Sequence, residues 1–275
     1  MHLVEWISSF ILRWHRSHVI CVRAVQLMEK EQTEAAGELL RRATASNPGL
    51  VGAWNRLGRS LMSTDPGQAR WALLKAFRGI RLPESIPTVY TPTVSLIADL
   101  SSLFPPNDDG WERELIHFLS ESVSDAGNYD ELAMIEFAGV CLAKIHLERN
   151  DREAAHSVLV DLLERARAFQ VRGPMQEAVL TLARIEMDLG HHDDAERRLR
   201  VLRFDPRPIS DRARLIIGTI AASRQEPWCE DILAECVFHL TEPNDRCEAL
   251  LLLAERKLLR EQHNEAKSMF NQALQ

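Results

Sequence analysis

Glycine is scarce in this chain, with 12 residues in 275. A loop that cradles phosphate needs several backbone amides brought close together, and glycines make that approach feasible. None of G-x-x-x-x-G-K-[ST], G-x-G-x-x-G, G-x-S-x-G or H-E-x-x-H occurs. Aromatic residues reach only 6%, and no long β-branched alternation suggests a half-buried sheet. Cys21, Cys141, Cys229, Cys236 and Cys247 are odd in number and far apart, and no C-x-x-C exists. That pattern suits a reducing, cytoplasmic compartment better than a disulfide framework. Carboxylates are plentiful but sit among arginines at solvent-facing spacings, as at Glu196-Arg197-Arg198, so no catalytic dyad stands out. These absences point away from an enzyme, a cofactor and a metal site. Cys229 and Cys236, seven residues apart near His239, read as small core residues. His191-His192-Asp193-Asp194 reads as a solvated turn after Gly190.

What the chain does have is a repeat. Ala24/Ala36, Ala143/Ala155, Ala183/Ala195 and Ala254/Ala266 are each twelve residues apart, and Gly58/Ala69 is one residue shorter. Four residues after the second member comes Leu40, Leu73, Leu159, Leu199 or Phe270, and three later Ala43, Ala76, Leu162, Leu202 or Ala273. Small residues on two neighbouring helices let their backbones approach closely, and a fixed period of this kind is the signature of stacked helix pairs.

The frame resembles the tetratricopeptide repeat, a helix–turn–helix unit of about 34 residues. Trp54, Leu57, Gly58, Leu61, Ala69, Leu73 and Ala76 follow that family's W-x-x-L-G…A-x-x-x-F…A spacing with one turn residue deleted. The unit before it carries Ala24, Leu27, Ala36, Leu40 and Ala43 and closes with Asn47-Pro48. The resemblance implies an all-α fold, a right-handed α-solenoid or superhelix, serving as a non-catalytic interaction scaffold or adaptor. The longer later helices also resemble the tetratricopeptide-like sensor regions of MalT-type bacterial regulators.

The expected organisation has four parts. Residues 1–16 form an amphipathic capping helix, and 17–82 hold two repeat units. Residues 83–110 form a proline-rich connection with a short helix at 93–104. Residues 111–275 hold further units, some degenerate. Pro83, Pro87 and Pro92 fall within ten residues, and proline both fixes φ and removes a donor. Residues 83–130 depart from the repeat frame and 207–241 fit it poorly.

The net charge of −7 hides an asymmetry: residues 1–82 hold 12 Lys/Arg against 6 Asp/Glu. Arg56, Arg59, Arg70, Lys75, Arg78 and Arg81 cluster there with only Asp65 among them, which suggests an acidic partner or a solvated face. In tetratricopeptide proteins the residue after the small position faces the concave groove. In this chain those residues are Val25, Arg59, Lys144, Arg184 and Glu255. Asn55, Arg56, Arg59, Lys144 and Arg184 are therefore the expected groove residues for an acidic protein or peptide, gripped by charge-assisted hydrogen bonds. The family's carboxylate clamp is not reproduced, because the matching site in the first unit is apolar (Cys21, Val25).

Trp6, Ile7, Phe10, Ile11 and Trp14 form an apolar stripe near the N-terminus. Three readings stay open for it: a cap on the first repeat, a self-association surface, or peripheral contact with the cytoplasmic face of a membrane. In the last case the chain would be a peripheral assembly factor. Nucleic acid is disfavoured as a partner by the acidic balance and the few stacking residues. The last helix ends at Ala273-Leu274-Gln275, and two readings stay open: Ser268, Asn271, Gln272 and Gln275 supply part of a polar end face, or the chain is a piece of a longer protein.

Overall fold

The computed structural model describes residues 2–80, 93–105, 108–122, 129–168, 175–202 and 209–274. Among them are fourteen α-helices and no strand, the all-α helical-repeat class expected. They divide into two compact units, residues 1–114 and 115–275. The first unit holds α1 (His2–Glu29) with α2 (Thr33–Ser46), α3 (Val51–Leu61) with α4 (Pro66–Ile80), then α5 (Thr93–Leu103) and the start of α6 (Asp109–Ser122). The second unit holds the rest of α6 and four hairpins. These are α7 (Tyr129–Glu148) with α8 (Arg152–Ala168), α9 (Gln176–Asp188) with α10 (His192–Leu202), α11 (Ile209–Ser223) with α12 (Cys229–His239), and α13 (Pro243–Leu259) with α14 (His263–Ala273).

The repeat spacing has a direct structural cause. All nine alanines of the small positions are fully buried (0% exposed). Seven residues after Ala24, Ala143, Ala183 and Ala254 stand Glu31, Asn150, Gly190 and Glu261, each with φ between 60 and 80°. Each ends its helix in a left-handed turn. In the first hairpin the Gln32 N–H donates to Leu27 O (2.9 Å) and the Glu31 N–H to Met28 O (3.0 Å). The same pair of bonds recurs at Asp151/Asn150, His191/Gly190 and Gln262/Glu261. These turns satisfy the orphan carbonyls of the first helix and reverse the chain in a constant number of residues. The α3–α4 turn has no left-handed residue; there Asp65 Oδ1 accepts from the Gln68 N–H (3.0 Å) and caps α4.

Three expectations need correction. The N-terminal capping helix is not a separate element at 1–16: α1 runs unbroken from His2 to Glu29, with no Gly or Pro in that span to stop it. The frame does not lapse at 93–122. Leu100, Trp111, Leu115 and Phe118 repeat the spacing of Gly58, Ala69, Leu73 and Ala76, and all four are buried, with large residues at the small positions. The Trp111 ring stacks on Phe104 (5.5 Å, 12°), and its Nε1–H donates to Ser101 Oγ (3.3 Å). Within 207–241, where the sequence leads one to expect a poor fit to the frame, the described helices α11 and α12 form a regular hairpin turned at Gln225 (φ 58°). There Gly218, Cys229, Leu233 and Cys236 occupy the frame. The proline-rich residues 83–92 and Arg81 lie outside the described residues.

Candidate functional site

The α-helical period of 100° per residue fixes which side of each first helix meets its hairpin partner. On α3, Trp54, Leu57 and Leu61 point toward α2 and α4, and Arg59 falls roughly opposite them. The residues after the small positions are all at least partly exposed: Val25 is half-buried, Arg59, Lys144 and Glu255 are exposed, and Arg184 keeps 40% of its side chain in solvent.

In the first unit the cations have partners that the local sequence does not show. Arg59 Nε lies 2.6 Å from Asp99 Oδ2 on α5. Arg70 Nη2–H donates to Leu103 O (2.7 Å), Arg70 approaches Asp108 (3.7 Å), and its guanidinium lies over the Phe104 ring (4.4 Å). Arg78 is held by Glu114. The cluster is therefore opposed by Asp99, Asp108 and Glu114 rather than by Asp65 alone. Over residues 1–114 the balance is 13 Lys/Arg against 12 Asp/Glu, so the first unit is near neutral. Arg56 is half-buried; its Nη1–H meets Gly52 O (3.3 Å) and Cys21 Sγ (3.8 Å). Burial pushes the Cys21 thiol up, and Arg56 partly offsets this. Around them His18, Cys21, Val22, Val25, Ala53 and Arg56 line a hollow of about 140 Å³ between α1 and α3. Asn55 is buried (4% exposed), and its Oδ1 has no hydrogen-bond partner among the described residues.

In the second unit the first helices are tied by a row of polar contacts. Glu136 Oε1 on α7 accepts from the Ala178 N–H (3.0 Å) and so caps α9. Burial pushes the Glu136 carboxyl above its usual range, against the lowering effect of that bond. Glu177 on α9 accepts from Arg212 on α11 (2.7 Å), and Arg212 also reaches Asp245 on α13 (3.6 Å). Arg184 passes from α9 to Asp245 (3.5 Å) and Glu248 (3.0 Å). Lys144 has no ion-pair partner among the described residues. A second polar cluster lies between α8, α9 and α10. There Glu186, 1% exposed, takes Arg198 Nε at 2.6 Å and His156 Nε2 at 3.5 Å.

Asn55, Arg56 and Arg59 thus share α3 in the first unit, while Lys144 and Arg184 belong to the second. The side chains of Trp6, Ile7, Phe10, Ile11 and Trp14 lie outside the described residues, although their backbone is part of α1. Cys229 is buried at the start of α12 and Cys236 lies in the α11–α12–α13 core, and burial pushes the Cys236 thiol up to about 12. His191 sits in the turn after Gly190, and His192 and Asp193 open α10. No helix among the described residues is long and apolar enough to cross a membrane.

Comparison with known proteins is informative at the level of structure alone. No family model matches the sequence, and no curated protein matches it. A tetratricopeptide repeat protein from Parabacteroides merdae superposes with a TM-score of 0.53 at 14% identity, covering 94% of this chain and 91% of that one. Pseudomonas aeruginosa PilF superposes at 0.51 and 14% identity, covering 94% and 99%. The apo form of the quorum sensor NprR from B. thuringiensis does so at 0.53 and 11%, covering 95% and 76%. Buried alanine pairs, left-handed turns and these neighbours agree: the chain has the tetratricopeptide-type helical-repeat fold.

Proposed function

We propose that this protein is a non-catalytic, cytoplasmic scaffold or adaptor that binds acidic segments of a protein partner on the faces that the first helices present within each unit. One observation carries the reading. The residue after a buried small position is an exposed or half-exposed cation in three hairpins, and Lys144 has no ion-pair partner among the described residues. Arg59 and Arg184 keep 42% and 40% of their side chains in solvent while paired. An incoming carboxylate therefore exchanges with Asp99, or with Asp245 and Glu248, instead of meeting a bare charge. Such exchange favours specificity and association rate over raw affinity.

The test is a fluorescence-anisotropy titration with a labelled glutamate-rich dodecapeptide against wild type and Lys144→Glu. The variant should bind roughly tenfold more weakly, an effect of about 1.4 kcal/mol, and the wild-type interaction should weaken with salt. Equal affinities, with both proteins folded by circular dichroism, would overturn the reading. A second reading, a signal-sensing repeat region of a bacterial regulatory protein, draws support from the structural likeness to the quorum sensor NprR.

A further inference from the structure

On the side of α3 opposite Arg59, the helices α2, α3 and α4 enclose a hollow of about 270 Å³. That is below the range of about 300–1,000 Å³ usual for small-molecule sites, and suits a single large side chain. Its floor is Trp54, Leu57, Leu61 and Ala72, and its rim carries Arg41 and Trp71. Trp71 meets Trp54 edge-on (4.9 Å, 87°) yet remains 53% exposed. Two of its polar groups are already satisfied: Trp54 Nε1–H donates to Pro48 O (2.8 Å) and Thr44 Oγ1–H to Arg41 O (3.0 Å). Lys75 lies over the Trp71 ring (5.8 Å), and no carboxylate lines the hollow. Half-exposed tryptophan beside arginine is the composition of an interface anchor.

The second unit bears a surface of the opposite kind. Phe238 on α12 is 84% exposed. Asp231 and Glu235 precede it by seven and three residues and so share its helix face, and both are exposed, as is Glu242 beyond the helix. The Glu235 side chain keeps 61% of its surface in solvent, and α12 contains no Lys or Arg.

We propose that Phe238 of one molecule inserts into the Trp54/Trp71 hollow of a second copy of this chain, with Glu235 and Asp231 set against Arg41 and Lys75. The contact is head-to-tail, since each chain contributes a knob from one unit and a hollow from the other. The two surfaces carry opposite charge. Phe238 shares its helix face with Asp231 and Glu235, the latter approached by Arg214 (3.6 Å). The hollow has Arg41 and Lys75 at its edge, Arg41 approached by Glu38 (3.6 Å), so the contact exchanges these exposed pairs for intermolecular ones.

Sedimentation velocity on the full chain, over a micromolar to millimolar range, tests this. Wild type should show a mass that rises with concentration and falls with added salt. Phe238→Ala should remain a monomer. So should Ala45→Glu, which places a carboxylate at the hollow's rim from an exposed position on α2. An equimolar mixture of the two should form a one-to-one pair, because Ala45→Glu keeps the knob and Phe238→Ala keeps the hollow. A monomeric wild type, association that survives either substitution, or a mixture that fails to pair would overturn the proposal. Affinity of the acidic dodecapeptide for the Lys144 face should be the same in both variants, which separates this contact from that site.

Discussion

Replacing Gly58 with alanine should destabilise the first unit, although alanine is the better helix former. A Cβ at position 58 would lie 2.5 Å from Leu73 Cγ, 2.6 Å from Leu73 Cδ2 and 3.2 Å from Ala69 O. Leu73 is fully buried, and its Cγ is a branch point rather than a free end. Relief therefore means an off-rotamer leucine or a shift of α4 away from α3. Overpacking of this kind costs about 1–3 kcal/mol, and helix propensity returns about 1 kcal/mol. The net expectation is a loss of roughly 1 kcal/mol. Gly37 is the internal control. It is buried within α2, but a Cβ there would meet nothing within 4 Å, so Gly37→Ala should gain about 0.5–1 kcal/mol. Urea denaturation followed by circular dichroism, comparing midpoints of the first-unit transition, reads both effects. If Gly58→Ala stabilises as much as Gly37→Ala does, close approach at the small positions is not what holds α3 to α4.

Arg198→Met should destabilise the second unit by about 3 kcal/mol in thermal melts, because it leaves the Glu186 carboxylate buried without its main partner. Glu186→Gln should cost less, since Arg198 is 24% exposed and can turn to water. The raised pKa of Glu136 means its burial is tolerated best when it is protonated. The stability of wild type relative to Glu136→Gln should therefore be greatest below the usual carboxyl value of 4.5 and be lost as pH rises through the elevated one; a difference independent of pH would contradict this. Cys247 should react first with a thiol reagent at pH 8, and Cys236 only on unfolding, because Cys247 is partly exposed and burial pushes the Cys236 thiol up to about 12.

Most of the helices were legible in the sequence because one residue type marks the close approach and one turn geometry follows it. Legibility failed where the frame used other residues. Leu100 and Trp111 fill the small positions of the α5–α6 pair with bulk, and Cys229 replaces the second alanine in α11–α12. Both cases keep the eleven-residue spacing of Gly58 and Ala69, the signal that could have revealed them. The faces of Arg59, Lys144 and Arg184 follow from helical period alone. Their partners do not, because ion pairs join residues brought together by stacking. Asp99 lies two helices beyond Arg59, and Asp245 and Glu248 lie four helices beyond Arg184.

The register itself is tested most directly by one substitution made at two adjacent positions, Ala143→Leu and Lys144→Leu, with the shift in denaturation midpoint measured for each. Ala143 is 0% exposed and Lys144 is exposed. Leucine at 143 should cost about 1–3 kcal/mol through overpacking. Leucine at 144 should stay within about 0.5 kcal/mol of wild type. Equal shifts at the two positions, or a larger one at 144, would contradict the account.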